Sequence, residues 1–174
     1  IKPSIMMFLI VITYGTIVSF LPIYAQERGI ENIGLFFTIY ALSLLLTRPL
    51  FGKIIDKYGF DYVILPGLVL LFISMILLAY ASTFTNFLLI ALIYGIGFGA
   101  CQSSFQTMAI VNAPSNKRGA ANATFFTGFD SGVGVGAIVY GFFASSFGYS
   151  TMYLLSILPV LIAFILYFVM GRKK

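Results

Sequence analysis

Apolar residues along this chain come in long unbroken runs, without the alternation of a half-buried strand or the single stripe of a soluble amphipathic helix. A helix needs roughly 20 apolar residues to cross about 30 Å of hydrocarbon. Six runs are long enough, at about 4–25, 33–54, 62–81, 86–111, 119–143 and 149–170. The breaks between them are short. Gln26 to Asn32 carries Glu27, Arg28 and Glu31, Asp56 to Asp61 carries Asp56, Lys57 and Asp61, and Asn112 to Arg118 holds Pro114 and two basic residues. A membrane β-barrel would show alternating segments of about ten residues, and none of these runs alternates. The pattern predicts an all-α integral membrane fold of six transmembrane helices.

The runs differ in what interrupts them. The third and sixth are nearly pure hydrocarbon, with Ser74 and Ser156 the main polar exceptions. The fourth carries Gln102, Ser103, Ser104, Gln106 and Thr107, and the fifth Asn122, Thr124, Thr127, Asp130 and Ser131. The first and second are intermediate. A polar group facing lipid is costly, so polar-bearing helices are expected to face one another or water. The third and sixth would then lie outermost. That gives two consecutive triplets, about 1–81 and 82–174, each ending in a peripheral helix, which is the inverted-repeat layout of secondary transporters.

Composition narrows the function. Of 174 residues, 60% are hydrophobic and 9% charged, where a soluble domain carries about a quarter charged. The solvent for most of this surface is lipid. With no His and one Cys, Cys101, zinc, haem and iron–sulfur sites lack their ligands and no internal disulfide forms. A membrane-embedded enzyme or a lipid-handling protein would need a nucleophile or a metal site, against which the absence of His and the apolar-flanked Cys101 argue, so no enzyme and no cofactor are expected. The formal charge of +5 comes from residues set between apolar runs, without the interleaved aromatics of a nucleic-acid surface.

The ten Lys and Arg residues are strongly sided. Lys2, Arg48, Lys53, Lys57, Lys117, Arg118, Arg172, Lys173 and Lys174 fall to one side of the six spans, and Arg28 alone to the other. By the positive-inside rule both termini and the loops after the second and fourth helices are expected in the cytoplasm. The chain opens on Ile1-Lys2-Pro3-Ser4, and is expected to be one half of something longer.

Four local patterns bear on chemistry. Arg48-Pro49-Leu50-Phe51-Gly52-Lys53-Ile54-Ile55-Asp56-Lys57-Tyr58-Gly59 closes the second span. Gly52 would admit a neighbouring backbone, and Asp56 would cap a helix N-terminus or pair with a cation, latching one side shut. An ordinary turn with a solvated charge pair fits as well. If the latch is real, its partner is the start of the fifth helix, with Arg118 nearby. Gly128, Gly132 and Gly136, at i, i+4 and i+8, make a smooth stripe suited to close helix packing. Asp130 is the one acid deep in a span, nearly opposite that stripe with Phe126, Thr127 and Gly134. An ionised carboxylate there costs kilocalories unless paired, hydrated or protonated, which marks a proton or ion pathway, or else a structural acid bonded to Gln102 or Gln106. Gln102 and Gln106 share a face with Gly95 and Gly99, placed either to bind substrate or to bond a neighbouring helix. Tyr14 and Thr127 are further cavity candidates. Arg48 is expected to snorkel to the headgroups.

The Gly52 to Gly59 run resembles the cytoplasmic loop signature of the major facilitator superfamily, Gly-x-x-x-Asp-Arg/Lys-x-Gly-Arg-Arg/Lys. Gly52, Asp56, Lys57 and Gly59 match, while Phe60 and Asp61 stand where the pattern has basic residues. Gly119, Gly128, Gly132, Val133, Gly136 and Ala137 resemble the antiporter signature of the same superfamily, with Val133 for its Pro and Ala137 for its last Gly. In flavour the chain is similar to bacterial drug:proton antiporters. The resemblance implies the C-terminal six helices of a twelve-helix transporter in a bacterial cytoplasmic membrane. Its partners would be lipid, an N-terminal six-helix half and a small amphipathic substrate, and its driving force a proton gradient. A sugar or metabolite importer of that superfamily shares every feature above.

Overall fold

The computed structural model describes residues 2–171. Arg172, Lys173 and Lys174, counted above among the sided charges, lie outside the described residues. The helices are α1 (Lys2–Glu27), α2 (Gly34–Tyr58), α3 (Asp61–Tyr80), α4 (Phe84–Val111), α5 (Arg118–Phe147), α6 (Tyr149–Leu155) and α7 (Ile157–Gly171), with one 3-10 turn at Ser115–Lys117. No strand occurs among the described residues. Each of α1 to α5, and α6 with α7 together, is long and apolar enough to cross a membrane. The chain is an all-helical integral membrane protein.

Boundaries follow local chemistry. Gly59 takes φ +94° after α2 and Gly148 takes φ +83° after α5, where a side chain would be strained. Thr83 opens α4 by accepting the Asn86 backbone N–H on its hydroxyl at 3.3 Å. The sixth run is expected as one helix but breaks at Ser156. Pro159 has no N–H to give the Leu155 carbonyl four residues back. That carbonyl instead accepts the Tyr140 hydroxyl of α5, at 3.3 Å.

The helices interlock as two swapped pairs. α1 packs chiefly on α5 and α4 chiefly on α2, so each triplet's first helix lies against the other triplet's second. Glycine sets both approaches. A Cβ added at Gly128 would come within 2.9 Å of the Ser4 carbonyl oxygen, and one at Gly132 within 2.6 Å of the Phe8 oxygen. One at Gly136 would strike the Ile12 oxygen. Matching steps of four on each helix mean that α1 and α5 run parallel. On the other pair, a Cβ at Gly95 would lie 2.8 Å from the Tyr40 oxygen and 2.7 Å from Ser43 Cβ.

The sequence places the third and sixth spans outermost. Their exposed faces are indeed hydrocarbon, with Val69, Ile73 and Leu77 on α3 and Leu158, Ile162 and Ile165 on α7. The least covered spans are nevertheless α2 and α5, with 11% and 22% of their apolar windows buried against 50% for α3. Lipid is not the only surface a span can meet. α2 and α5 expose Thr38, Arg48, Thr124, Thr127, Asp130 and Ser131 along with apolar residues, a mixed face suited to a cavity or a protein partner.

The end opposite the basic loops is tied by Arg28. One guanidinium nitrogen donates to the Tyr24 hydroxyl at 2.8 Å and to the Ser150 hydroxyl at 2.7 Å. The Tyr24 hydroxyl lies 2.8 Å from the Leu78 carbonyl and 3.0 Å from that of Ala79. α1, α3 and α6 are thereby joined by one side-chain pair.

Candidate transport cavity

The open side between α2 and α5 is floored by α1 and α4, and aromatic rings lead into it. Tyr94 and Phe98 of α4 are buried, Tyr14 of α1, Tyr40 of α2 and Phe129 of α5 are half-buried, and Phe126 of α5 is exposed. The Tyr14 ring centre lies 5.3 Å from Phe98, 5.8 Å from Tyr40 and 6.2 Å from Phe129. Phe126 continues the series at 6.2 Å from Phe129. The rings form a ladder from core to open face, with the offset and edge contacts that aromatic pairs prefer. Its inner end is anchored by Thr13. That hydroxyl gives its proton to the Ile10 carbonyl at 2.7 Å, so the Tyr94 hydroxyl is the donor to it at 2.9 Å.

Polar groups lie on the basic-end side of the ladder. Gln106 of α4 donates to Asn122 of α5 at 3.1 Å. Gln102 accepts from Arg48 of α2 at 3.4 Å. The structure thus gives both amides partners other than Asp130, and the structural role in which Asp130 bonds one of them is not the arrangement found. Because α2 continues to Tyr58, Arg48 sits ten residues from its end, roughly 15 Å of helix, and turns toward α4. The last turns of α2 carry Lys53, Asp56 and Lys57, so its apolar part ends near Phe51, about one turn beyond Arg48.

Asp130 is exposed, next to Phe129 on the uncovered face of α5 and twelve residues from Arg118, roughly 18 Å along the helix. Thr127 is exposed too, but lines a different recess, an open groove of about 510 Å³ between α1 and α5 with Ser4, Phe8 and Ser131. Its hydroxyl donates back to the Ala123 carbonyl at 3.0 Å. Of the four cavity candidates, Tyr14 lies in the ladder, Gln102 and Gln106 beside it, and Thr127 apart.

The loop motif is not closed within this chain. Asp56, Lys57 and Arg118 are exposed, and α2 and α5 make no substantial contact, so the structure does not pack the Asp56 end of α2 on the start of α5. Among the described residues, nothing beyond the local backbone of α2 comes within 4 Å of a Cβ built at Gly52. Gly59 has its own reason for being glycine, its positive φ.

Sequence reasoning missed Tyr40, Tyr94, Phe98 and Phe129. Aromatics make up 17% of the chain, and no spacing marks those that converge from four helices.

The sequence matches the profile of the Major Facilitator Superfamily over residues 4–174. The chain belongs to the Major Facilitator Superfamily. Among superfamily members it is 28% identical to the multidrug resistance protein MdtG of a Rahnella species, over 90% of this chain and 40% of that protein. It is 28% identical to the quinolone resistance protein NorA of Staphylococcus aureus, over 76% of this chain and 36% of that one. An uncharacterised MFS-type transporter of Methanocaldococcus jannaschii is 27% identical over 79% of this chain and 36% of its own length. The chain therefore spans less than half the length of these superfamily relatives.

Proposed function

We propose that this chain is the C-terminal six-helix half of an alternating-access transporter that exports small amphipathic compounds in exchange for protons. The observation that carries the reading is the aromatic ladder, which opens on the face that α2 and α5 leave uncovered. Flat rings bind other flat, apolar molecules by area and stacking without demanding one hydrogen-bond pattern. The names of MdtG and NorA, a multidrug and a quinolone resistance protein, point the same way. In this reading both termini lie in the cytoplasm, an N-terminal half covers the open face, and Asp130 carries the proton.

The test is efflux of ethidium from energised inside-out vesicles holding the full protein. Tyr14→Ala and Phe98→Ala are expected to raise KM about three- to tenfold, taking about 0.5–1.5 kcal/mol per lost ring pair. Unchanged KM at equal protein level would move the substrate site elsewhere. In the same assay Asp56→Asn is expected to slow efflux several-fold by loosening closure at the basic end against the other half. An unaltered rate would reduce the loop to an ordinary turn.

A further inference from the structure

Arg48 is a cation within the second span, exposed on the open side, and among the described residues it hydrogen-bonds an uncharged amide, Gln102 at 3.4 Å. The five acidic residues leave it without a carboxylate partner among the described residues. Glu27 and Glu31 lie at the opposite end, Asp56 lies beyond Arg48 toward the basic end, and Asp61 receives the Tyr167 hydroxyl. Asp130 is on α5, with which α2 makes no substantial contact. Its partner Gln102 follows Phe98 by four residues on α4, so the guanidinium of Arg48 lies about one turn to the basic-end side of the ladder.

We infer that Arg48, held by Gln102, is the subsite for a carboxylate on the transported compound, whose aromatic body lies along the Tyr14–Tyr40–Phe98–Phe129 rings. The inference rests on the efflux reading and narrows its substrate class to aromatic acids, including zwitterions. A guanidinium has five N–H donors in a planar fork that matches a carboxylate two bonds at a time. Gln102 takes one of them with its carbonyl oxygen, which leaves the others for a ligand. In a site shielded from water such a charge-assisted pair is stronger than at a surface. An amide is the right tether, because an acid in place of Gln102 would neutralise the fork that the substrate needs.

The experiment uses purified full protein in detergent, with binding read by the fluorescence anisotropy of three probes: 1-pyrenebutyrate, its methyl ester and ethidium. Wild type is expected to bind all three. Arg48→Gln is expected to weaken 1-pyrenebutyrate at least about tenfold and to leave the ester and ethidium within about twofold, below the roughly 0.5 kcal/mol scatter of neutral substitutions. Arg48→Lys, a point charge without the fork, is expected to fall between. Equal weakening of all three probes would make Arg48 structural, or the counter-ion of an acid in the other half, and would overturn the inference. So would equal affinity in variant and wild type. Binding of ester and ethidium but not of the acid by wild type would overturn it and leave the efflux reading standing, whereas binding of none would remove that reading first. Should Arg48→Gln fail to accumulate, Arg48→Lys carries the decision by the same contrast between acid and ester.

Discussion

Gly132→Val is expected to lower the melting temperature of the full protein in detergent by many degrees, or to prevent its accumulation in the membrane. The first atom added, Cβ, lands 2.6 Å from the Phe8 carbonyl oxygen and 3.2 Å from Val11 Cβ. A carbonyl oxygen on a helix backbone cannot swing aside as a side-chain tip can, so α1 and α5 must separate along their whole contact. Overpacking of this kind costs about 1–3 kcal/mol where side chains adjust, and the rigid neighbour puts this site at or above the upper end. The same helix supplies the control. Gly134 has nothing within 4 Å of its Cβ position, so Gly134→Ala is expected to be neutral or to gain up to about 1 kcal/mol from lower backbone entropy in the unfolded chain. If both variants melt together with wild type, the close approach of α1 and α5 is wrong.

Asp130→Asn is expected to abolish concentration of substrate driven by a pH gradient, while leaving substrate binding and downhill exchange in place. Asp130 is the acid deepest in a span and stands on the uncovered face of α5, one residue from the ladder. The two amides that would hold it as a structural acid are engaged elsewhere, Gln102 by Arg48 and Gln106 by Asn122. A carboxyl in that position can take a proton from one side of the membrane and release it to the other. Substrate seated on the neighbouring rings shifts that exchange, and by linkage the proton shifts substrate affinity equally. Asn keeps the shape and loses the exchangeable charge. Asp130→Glu should retain part of the driven transport, which separates coupling from packing. A variant Asn protein that still accumulates substrate against its gradient would return Asp130 to a structural role and move the coupling acid to the other half.

The six spans were legible because membrane thickness imposes one length on every crossing helix, and the apolar runs between Ser4 and Met170 have that length. The Gly128–Gly132–Gly136 stripe was legible too, since steps of four residues put small groups on one helix face whatever lies opposite. Its partner was not. Only the folded chain shows that the stripe rests on the Ser4, Phe8 and Ile12 carbonyls. The break at Ser156 was hidden because Pro159 alone does not end an apolar run, and the carbonyl it orphans is satisfied from another helix, by Tyr140.

The site divides along the same line. Sequence alone determined which polar groups lie within spans, because each interrupts a hydrocarbon run: Tyr14, Gln102, Gln106 and Asp130. It could not rank nineteen Phe and eleven Tyr residues, since burial in lipid and burial against a substrate reward the same side chains. α2 continues to Tyr58, past the end of its apolar run near residue 54, because charged residues carry a helix on as readily as apolar ones. Tertiary structure decided what depends on several helices at once: the convergence of Tyr14, Tyr40, Phe98 and Phe129, the pairing of Arg48 with Gln102, and the lack of substantial contact between α2 and α5. Periodicity fixes the direction of a side chain around its own helix, but only the packing of one helix on another fixes what that side chain meets.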